Sequence, residues 1–290
     1  VNKIQIPQTF VFEKSDGFSF VNQFRWLTAR YFETKLNDKA YMVLLLLQAP
    51  IIAILIGLIF DKFTLSVLFL MNLTALWLGS SNAAREIVAE LPIYHRERMY
   101  NLRIIPYLAS KLTVQSLFSF IQVFCFVSVL YVFYSGKEVG LESYLKTIFL
   151  LTFISLSAVI IGLFLSSLVK NSEQAIALLP LLLIPQIILS GVIYPIDNNS
   201  IVEALSCLTL GRNGTSALCT IQYEIEHLIA ICQNGPNLIY APTSSVQALA
   251  LPITFGIKPS EFFSQFILIS AMNIITLGAI ILSLRKKDKL

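Results

Sequence analysis

Residues 41–60, YMVLLLLQAPIIAILIGLIF, form a run of twenty amino acids without a single charge. An α-helix rises 1.5 Å per residue, so a helix of this length covers about 30 Å, the thickness of the hydrocarbon core of a bilayer. This run therefore predicts a membrane-spanning helix, and Pro50 in its middle is expected to kink it.

The composition of the whole chain also indicates a membrane protein. Hydrophobic residues make up 56% of its 290 residues and charged residues only 13%. A soluble domain carries about 25% charged residues, so this chain has too few charges to cover a surface that faces water. Its basic residues form neither a basic helix nor a patch interleaved with aromatic residues, so we expect no nucleic-acid partner.

Five further apolar runs are long enough to cross a membrane. They cover residues 63–84 and, approximately, residues 104–134, 145–169, 174–193 and 261–284. We therefore predict an all-α integral membrane fold, with six transmembrane helices in residues 41–290. Pro180 and Pro185 interrupt the fifth span, and Gln48 and Gln186 are expected to form hydrogen bonds between helices.

An interfacial helix is expected in the lead-in to the first span, residues 1–40. There the stretch FVNQFRWLTARYFETKL spaces its apolar and aromatic residues almost as a helix does and carries basic residues elsewhere. This pattern favours a helix lying in the membrane interface, and a short soluble helix is the alternative.

The distribution of Lys and Arg predicts the orientation. Six spans place both termini on one side, and that side receives sixteen of the 21 basic residues. Because basic residues concentrate in cytoplasmic loops, both termini are predicted to be cytoplasmic. The protein would be a multi-pass protein of the plasma membrane or the bacterial inner membrane, with residues 194–260 outside.

The predicted external segment contains three cysteines, Cys207, Cys219 and Cys232. A disulfide can form in an oxidising compartment, although three cysteines leave one unpaired and the sequence does not give the connectivity. Three free, buried thiols are the alternative.

A compact block of mixed charge separates the second span from the third. The stretch REIVAELPIYHRERM, residues 85–99, reads as two short helical runs separated at Pro92. Such a block suits the docking of a soluble partner, and a solvated loop is the alternative. The preference of cytoplasmic loops for basic residues explains the arginines but not the three interleaved glutamates. The candidate docking residues are Arg85, Glu86, Glu90, Arg96, Glu97 and Arg98.

Three motifs in this order carry a family resemblance. The stretch ELPIYHRERMYNLRIIPYLASKL resembles a coupling helix and the start of the third span, with Arg103, Tyr107 and Lys111. The stretches ILSGVIYPI and LGRNGTSAL resemble the end of the fifth span and a re-entrant external part; the second contains Arg212, Gly214, Ala217 and Leu218. Together they resemble the transmembrane domain of an ABC-type exporter of the White/ABCG group, within the type-2 permease class.

The resemblance implies how such a permease works. An ATPase domain would precede this segment in the same polypeptide, which fits a chain that begins at Val1. The chain has no G-x-x-x-x-G-K-[ST] motif, so ATP and Mg²⁺ would be bound by that ATPase domain. A second transmembrane domain, identical or different, would complete a dimer. Spans two and five would line a cavity with Asn72, Leu73, Leu76 and Trp77, closed outward by Val192 and Ile193.

Other functions have weaker support in the sequence. No span carries an Asp, Glu or His at mid-membrane, which argues against an ion-coupled pump. No catalytic motif or metal constellation is visible, and His95 and His227 are predicted on opposite sides of the membrane. Two alternatives stay open. One is a type-2 permease for a polysaccharide or antibiotic with its ATPase on a separate chain, and the other is a membrane scaffold or sensor that moves no cargo.

Overall fold

The computed structural model describes residues 20–60, 64–134, 141–193, 200–221 and 262–288, and their regular structure is entirely helical. In chain order the helices are α1 (Phe20–Asn37), α2 (Lys39–Ile59), α3 (Leu65–Ala83), α4 (Leu91–Met99), α5 (Ile104–Tyr134), α6 (Leu141–Leu168), α7 (Ser172–Ile188), α8 (Ser200–Cys207), α9 (described over 210–221) and α10 (Phe262–Lys287). The predicted all-α membrane fold is confirmed.

Five of these helices, α2, α3, α5, α6 and α10, are long and apolar enough to cross a membrane. They correspond to predicted spans one to four and six. The fifth predicted span contains α7, which has 17 residues with Pro180 and Pro185 inside it. At 1.5 Å per residue α7 covers about 26 Å. It is therefore slightly shorter than a typical span, and the count of six spans stays a prediction.

Polar side chains fix the starts of two spans. The Asp38 carboxylate accepts a hydrogen bond from the Tyr41 backbone N–H at 3.1 Å, and the Thr64 hydroxyl accepts one from Val67 at 3.4 Å. These caps satisfy N–H groups that a helix leaves unpaired in its first turn. Because Asp38 alone separates α1 from α2, the predicted interfacial helix leads directly into the first span.

The core of the bundle lies around α3, which packs along much of its length against α6. Ala75 and Leu78 of α3 are buried together with Leu151, Ile154 and Ala158 of α6. The outer helices α2 and α10 instead expose large apolar side chains over much of their length. An apolar surface of this extent suits contact with lipid rather than water.

Part of the segment between spans five and six returns into the bundle. In α9, every described residue except Arg212 is buried, and Leu210, Ala217 and Leu218 belong to the core around α3. This burial agrees with the predicted re-entrant element. Residues 194–199 and 222–260, the remainder of the predicted external segment, lie outside the described residues.

Candidate coupling site and transport path

The charged block folds as turns over residues 84–90 followed by α4. The break between the two runs falls just before Leu91, one residue ahead of Pro92, which lies in the first turn of α4. Proline lacks a backbone N–H, and the first turn of a helix is where that loss costs nothing. Beyond α4, Asn101 adopts a left-handed backbone with φ of 70°, a conformation that Asn tolerates better than most residues.

Two glutamates of the block are tied to α1. Glu86, which is 8% exposed, accepts a hydrogen bond from the Tyr31 hydroxyl and lies 2.5 Å from the Lys35 ammonium. Glu97 forms a two-pronged ion pair with the Arg30 guanidinium. Burial and the neighbouring Glu86 carboxylate raise the pKa of Tyr31 well above its usual value, so its phenol stays a hydrogen-bond donor.

A third glutamate is tied to the start of α5. The Lys111 ammonium lies 2.5 Å from the Glu90 carboxylate and 3.6 Å from the centre of the Tyr31 ring. The Lys111 side chain is only 2% exposed, whereas that of Glu90 is 26% exposed. Beside this pair, the rings of Tyr94 and Tyr107 are in contact, with their centres 4.9 Å apart.

The C-terminal end of α10 also holds α4. Asp288 accepts hydrogen bonds from Arg98 Nε at 2.8 Å and from the Tyr94 hydroxyl at 3.0 Å. Arg98 donates another to the Leu102 carbonyl oxygen. Burial and the Asp288 carboxylate raise the pKa of Tyr94, which keeps this phenol protonated. Because α4 contacts both α1 and Asp288, the two described ends of the chain lie at one end of the bundle.

The opposite side of α4 is free of these contacts. We call it the outer face; it consists of Ile93, His95, Arg96, Met99 and Tyr100, all of which are exposed. Met99 is 79% and Tyr100 84% exposed. The six predicted docking residues therefore fall into two groups. Arg85 and Arg96 are exposed, whereas the other four tie the block to the rest of the bundle.

The predicted cavity residues do not share one surface. Asn72 is fully buried, and its amide group donates hydrogen bonds to α9, at the Leu210 and Gly211 carbonyl oxygens and the Thr215 hydroxyl. Leu76 is 2% exposed, Leu73 is partly buried and Trp77 is 43% exposed. Only Leu73 and Trp77 thus reach the surface of the subunit, and their contact with cargo stays a prediction.

The two residues of the predicted outward closure, Val192 and Ile193, follow the end of α7 at Ile188. Val192 is partly buried and Ile193 is 65% exposed, just beyond Gly191. As expected, Gln186 joins two helices, because its side-chain oxygen accepts a hydrogen bond from the Gly211 N–H at 3.0 Å.

Of the three cysteines, Cys207 and Cys219 are free thiols, and Cys232 lies outside the described residues.

Comparison with known proteins identifies the family. Residues 22–223, most of the chain, match the family described as "ABC-2 type transporter". The chain belongs to this family. The predicted type-2 ABC permease class is thereby confirmed, and permeases of this family work with ATPase domains.

A relative in Mycobacterium tuberculosis is named "ABC transporter ATP-binding/permease protein". It is 26% identical over 155 residues, which are 52% of this chain and 18% of that protein. The permease segment described here therefore spans a small part of that relative's length.

The structure also reveals a polar network in the permease that sequence reasoning missed. Gln115 of α5 donates hydrogen bonds to the Tyr31 hydroxyl at 2.8 Å and to the Asn82 carbonyl oxygen at 3.2 Å. The Asn82 amide donates to Gln122 at 2.5 Å, and Gln122 donates to the Leu45 carbonyl oxygen at 2.6 Å. Gln115 and Gln122 lie seven residues apart in an apolar span and therefore on one face of the helix, which was a signal for this network.

The contact between α4 and Asp288 leads to a first prediction. In Asp288→Ala, Arg98 and Tyr94 lose their shared acceptor, and hydrogen bonds to charged groups contribute about 1.5–3 kcal/mol each. We expect amide hydrogen exchange in α4 to become at least about tenfold faster, as measured by mass spectrometry. In the control Lys286→Gln, an exposed charge two residues away is removed and exchange should stay unchanged. Equal exchange in α4 of both variants would contradict the contact.

Proposed function

We propose that this chain is the permease domain of an ATP-driven exporter of lipid-like or amphipathic cargo. It works as a dimer by alternating access, and α4 is the coupling helix that receives the movement of the ATPase domain. We further propose that the ATPase domain, with its ATP and Mg²⁺, belongs to the same polypeptide. The printed name of the Mycobacterium tuberculosis relative, which joins an ATP-binding part to a permease, supports this arrangement.

The observation that carries the proposal is the way α4 is held. Its ties reach α1 through Glu97, α5 through Glu90 in the preceding turn, and the end of α10 through Arg98. The outer face, in contrast, is exposed. A helix that is bound to the bundle on one side and exposed on the other can transmit a movement of a soluble domain to several spans at once.

The proposed orientation has α4 and both ends of the chain in the cytoplasm, with six crossings. The contacts of α4 with α1 and with Asp288 support an even number of crossings, since five crossings would leave the two chain ends on opposite sides. On this proposal α7 is the remaining crossing. The sixteen basic residues predicted on that side support its assignment as cytoplasmic.

The proposed cargo follows from the surface near the centre of the bundle. Trp77 and Leu73 offer an aromatic and an aliphatic surface on α3, and the buried Asn72 beside them is already occupied by α9. A path with aromatic and aliphatic walls and few available polar groups suits apolar or amphipathic molecules.

The test uses the complete transporter in proteoliposomes, with a fluorescent NBD-labelled phosphatidylcholine as the cargo probe. Arg96→Glu reverses a charge on the outer face without removing a tie of α4. We expect ATP hydrolysis to continue while probe moved per ATP falls at least about fivefold, the lower range of typical coupling between sites. The matched control is Arg285→Glu, an exposed arginine at the end of α10.

Three results would count against the proposal. Normal coupling in Arg96→Glu would remove α4 as the coupling helix. An equal loss in Arg285→Glu would indicate a general charge effect. ATP hydrolysis by the wild type without any movement of the probe would exclude the lipid-like cargo and favour a scaffold or another cargo.

A further inference from the structure

A groove on the outside of the bundle lies apart from both the coupling helix and the transport path. It runs between α1 and α5, with Thr152 of α6 also in its lining, and has a volume of about 770 Å³. Its walls are apolar and largely aromatic, formed by Phe24, Ala29, Phe32, Leu117 and Phe120, and its other lining residues include Arg25, Thr28, Thr113 and Ser116.

The groove opens on a surface that suits lipid. Leu117 and Phe120 of α5 are 44% and 45% exposed, and the next turn adds Phe124 at 46%. α5 is one of the helices long and apolar enough to cross a membrane. Side chains of this kind on the outside of a span contact acyl chains, so an elongated apolar ligand can enter the groove from the bilayer.

The charged residues of α1 indicate the sign of the charge that a ligand would carry. Two of its basic residues are neutralised within the protein, Arg30 by Glu97 and Lys35 by Glu86. Arg25 is exposed and forms no ion pair within the part of the chain that the structure describes. Glu33, the acidic residue of α1, is not among the described residues that line the groove, and none of those is acidic. Arg25 is thus a free cation at an apolar groove.

Three of the hydroxyl groups that line the groove with Arg25 already donate hydrogen bonds to backbone carbonyl oxygens. Thr28 donates to the Phe24 carbonyl oxygen at 2.7 Å, and Thr113 donates to that of Ala109 at 2.9 Å. Ser116 donates to the carbonyl oxygen of Thr113, also at 2.9 Å. A fourth hydroxyl, that of Thr152 of α6, also lines the groove and has no hydrogen-bond partner among the described residues. Arg25 supplies the charged donor for an anion, and the planar fork of its guanidinium matches two oxygens of a phosphate group.

We propose that this groove is a binding site for an anionic phospholipid. An acyl chain lies against Phe24, Phe32 and Phe120, and the phosphate group accepts hydrogen bonds from Arg25. A neutral zwitterionic lipid fills the same apolar walls, but it lacks the net negative charge that the unpaired Arg25 favours. The site therefore distinguishes lipids by the charge of the headgroup, and its apolar walls supply the contacts that bind the acyl chain.

The experiment measures which lipids stay with the full-length protein. The protein is reconstituted in phosphatidylcholine bilayers with a minor fraction of phosphatidylglycerol, extracted in mild detergent, and its retained lipids are quantified by mass spectrometry. We expect phosphatidylglycerol to be enriched about fivefold over its fraction in the bilayer, as expected from one cation acting on an anionic lipid. Arg25→Gln should abolish this enrichment.

Two further variants separate the groove from the general surface. Ala29→Phe adds a ring to an exposed wall of the groove and should lower the total retained lipid while leaving the thermal unfolding of the protein unchanged. Arg103→Gln removes an exposed arginine that does not line the groove and should keep the enrichment.

The proposal is overturned by any of three results. The first is unchanged enrichment in Arg25→Gln, and the second is an equal loss in Arg103→Gln. The third is retention of the two lipids by the wild type in their bilayer ratio, which would leave the groove to another occupant, such as a peptide segment or a second copy of the chain.

Discussion

Gly79→Ala is expected to lower the free energy of unfolding by about 3 kcal/mol, the upper range for overpacking a well-packed core. A Cβ atom at Gly79 of α3 would collide with the Ser155 carbonyl oxygen of α6 and lie 2.9 Å from the Ala158 Cβ. Because the obstacle includes backbone, no side chain can rotate away, and α3 and α6 must separate. Small residues that let two backbones approach are a main source of helix association in membranes.

The same prediction applies to a second glycine, which lies on the facing helix α6. A Cβ atom at Gly162 of α6 would lie 2.7 Å from the Ser80 carbonyl oxygen and 2.9 Å from the Ala83 Cβ of α3. Gly162→Ala should therefore destabilise the bundle as Gly79→Ala does, and the double variant should show less than the sum of both losses, since one separation relieves both collisions.

Gly278→Ala is the matched control. Gly278 lies in α10, where an added Cβ would have no atom within 4 Å. Alanine is the better helix former, so this variant should keep or slightly raise the stability. The measurement is reversible unfolding in mixed detergent micelles. If Gly79→Ala unfolds at the same detergent fraction as Gly278→Ala, the close approach of α3 and α6 does not exist.

The spans were predictable from sequence because hydrophobic length is a property of one helix alone. The third predicted span, 104–134, coincides with α5. The charged block was recognisable for the same reason, as an interruption between two apolar runs. The boundaries of the helical runs within the block were not recognisable, because Pro92 is equally compatible with ending one helix and with beginning the next.

The direction in which the charges of the block point could not be read from the sequence. The partners of Glu86, Glu97 and Arg98 lie at Lys35, Arg30 and Asp288, separated from them along the chain by 51, 67 and 190 residues. No local period reveals contacts at such separations. A mixed-charge helix therefore looks equally able to face water and to face the bundle.

The role of Asn72 depends on a partner that its own helix does not show. An amide group in an apolar bundle is costly unless its hydrogen bonds are satisfied. Its NH₂ group is satisfied by backbone carbonyl oxygens and a hydroxyl of α9, more than 130 residues later. The sequence places Asn72 on the second span, but only the fold shows that α9, rather than cargo, accepts its hydrogen bonds.

Glu90→Gln is expected to destabilise the protein by about 3–4 kcal/mol, more than the reciprocal change Lys111→Met, which should cost about 1–2 kcal/mol. Both changes break the same ion pair, so the difference comes from the partner left behind. Glu90→Gln leaves the ammonium of Lys111, 2% exposed, without its charged partner at 2.5 Å. Lys111→Met leaves Glu90, whose side chain is 26% exposed and can still reach water.

The double variant Glu90→Gln/Lys111→Met tests this reasoning. A buried charge costs most when it is alone, and replacing both charges by neutral groups of similar size is often almost neutral. The double variant should therefore be more stable than Glu90→Gln alone, although it contains one more substitution. If it is less stable, the cost of Glu90→Gln does not come from an isolated ammonium. The pair would then act by positioning the turn before α4 against α5, and both single variants should lose transport coupling in proportion to their loss of stability.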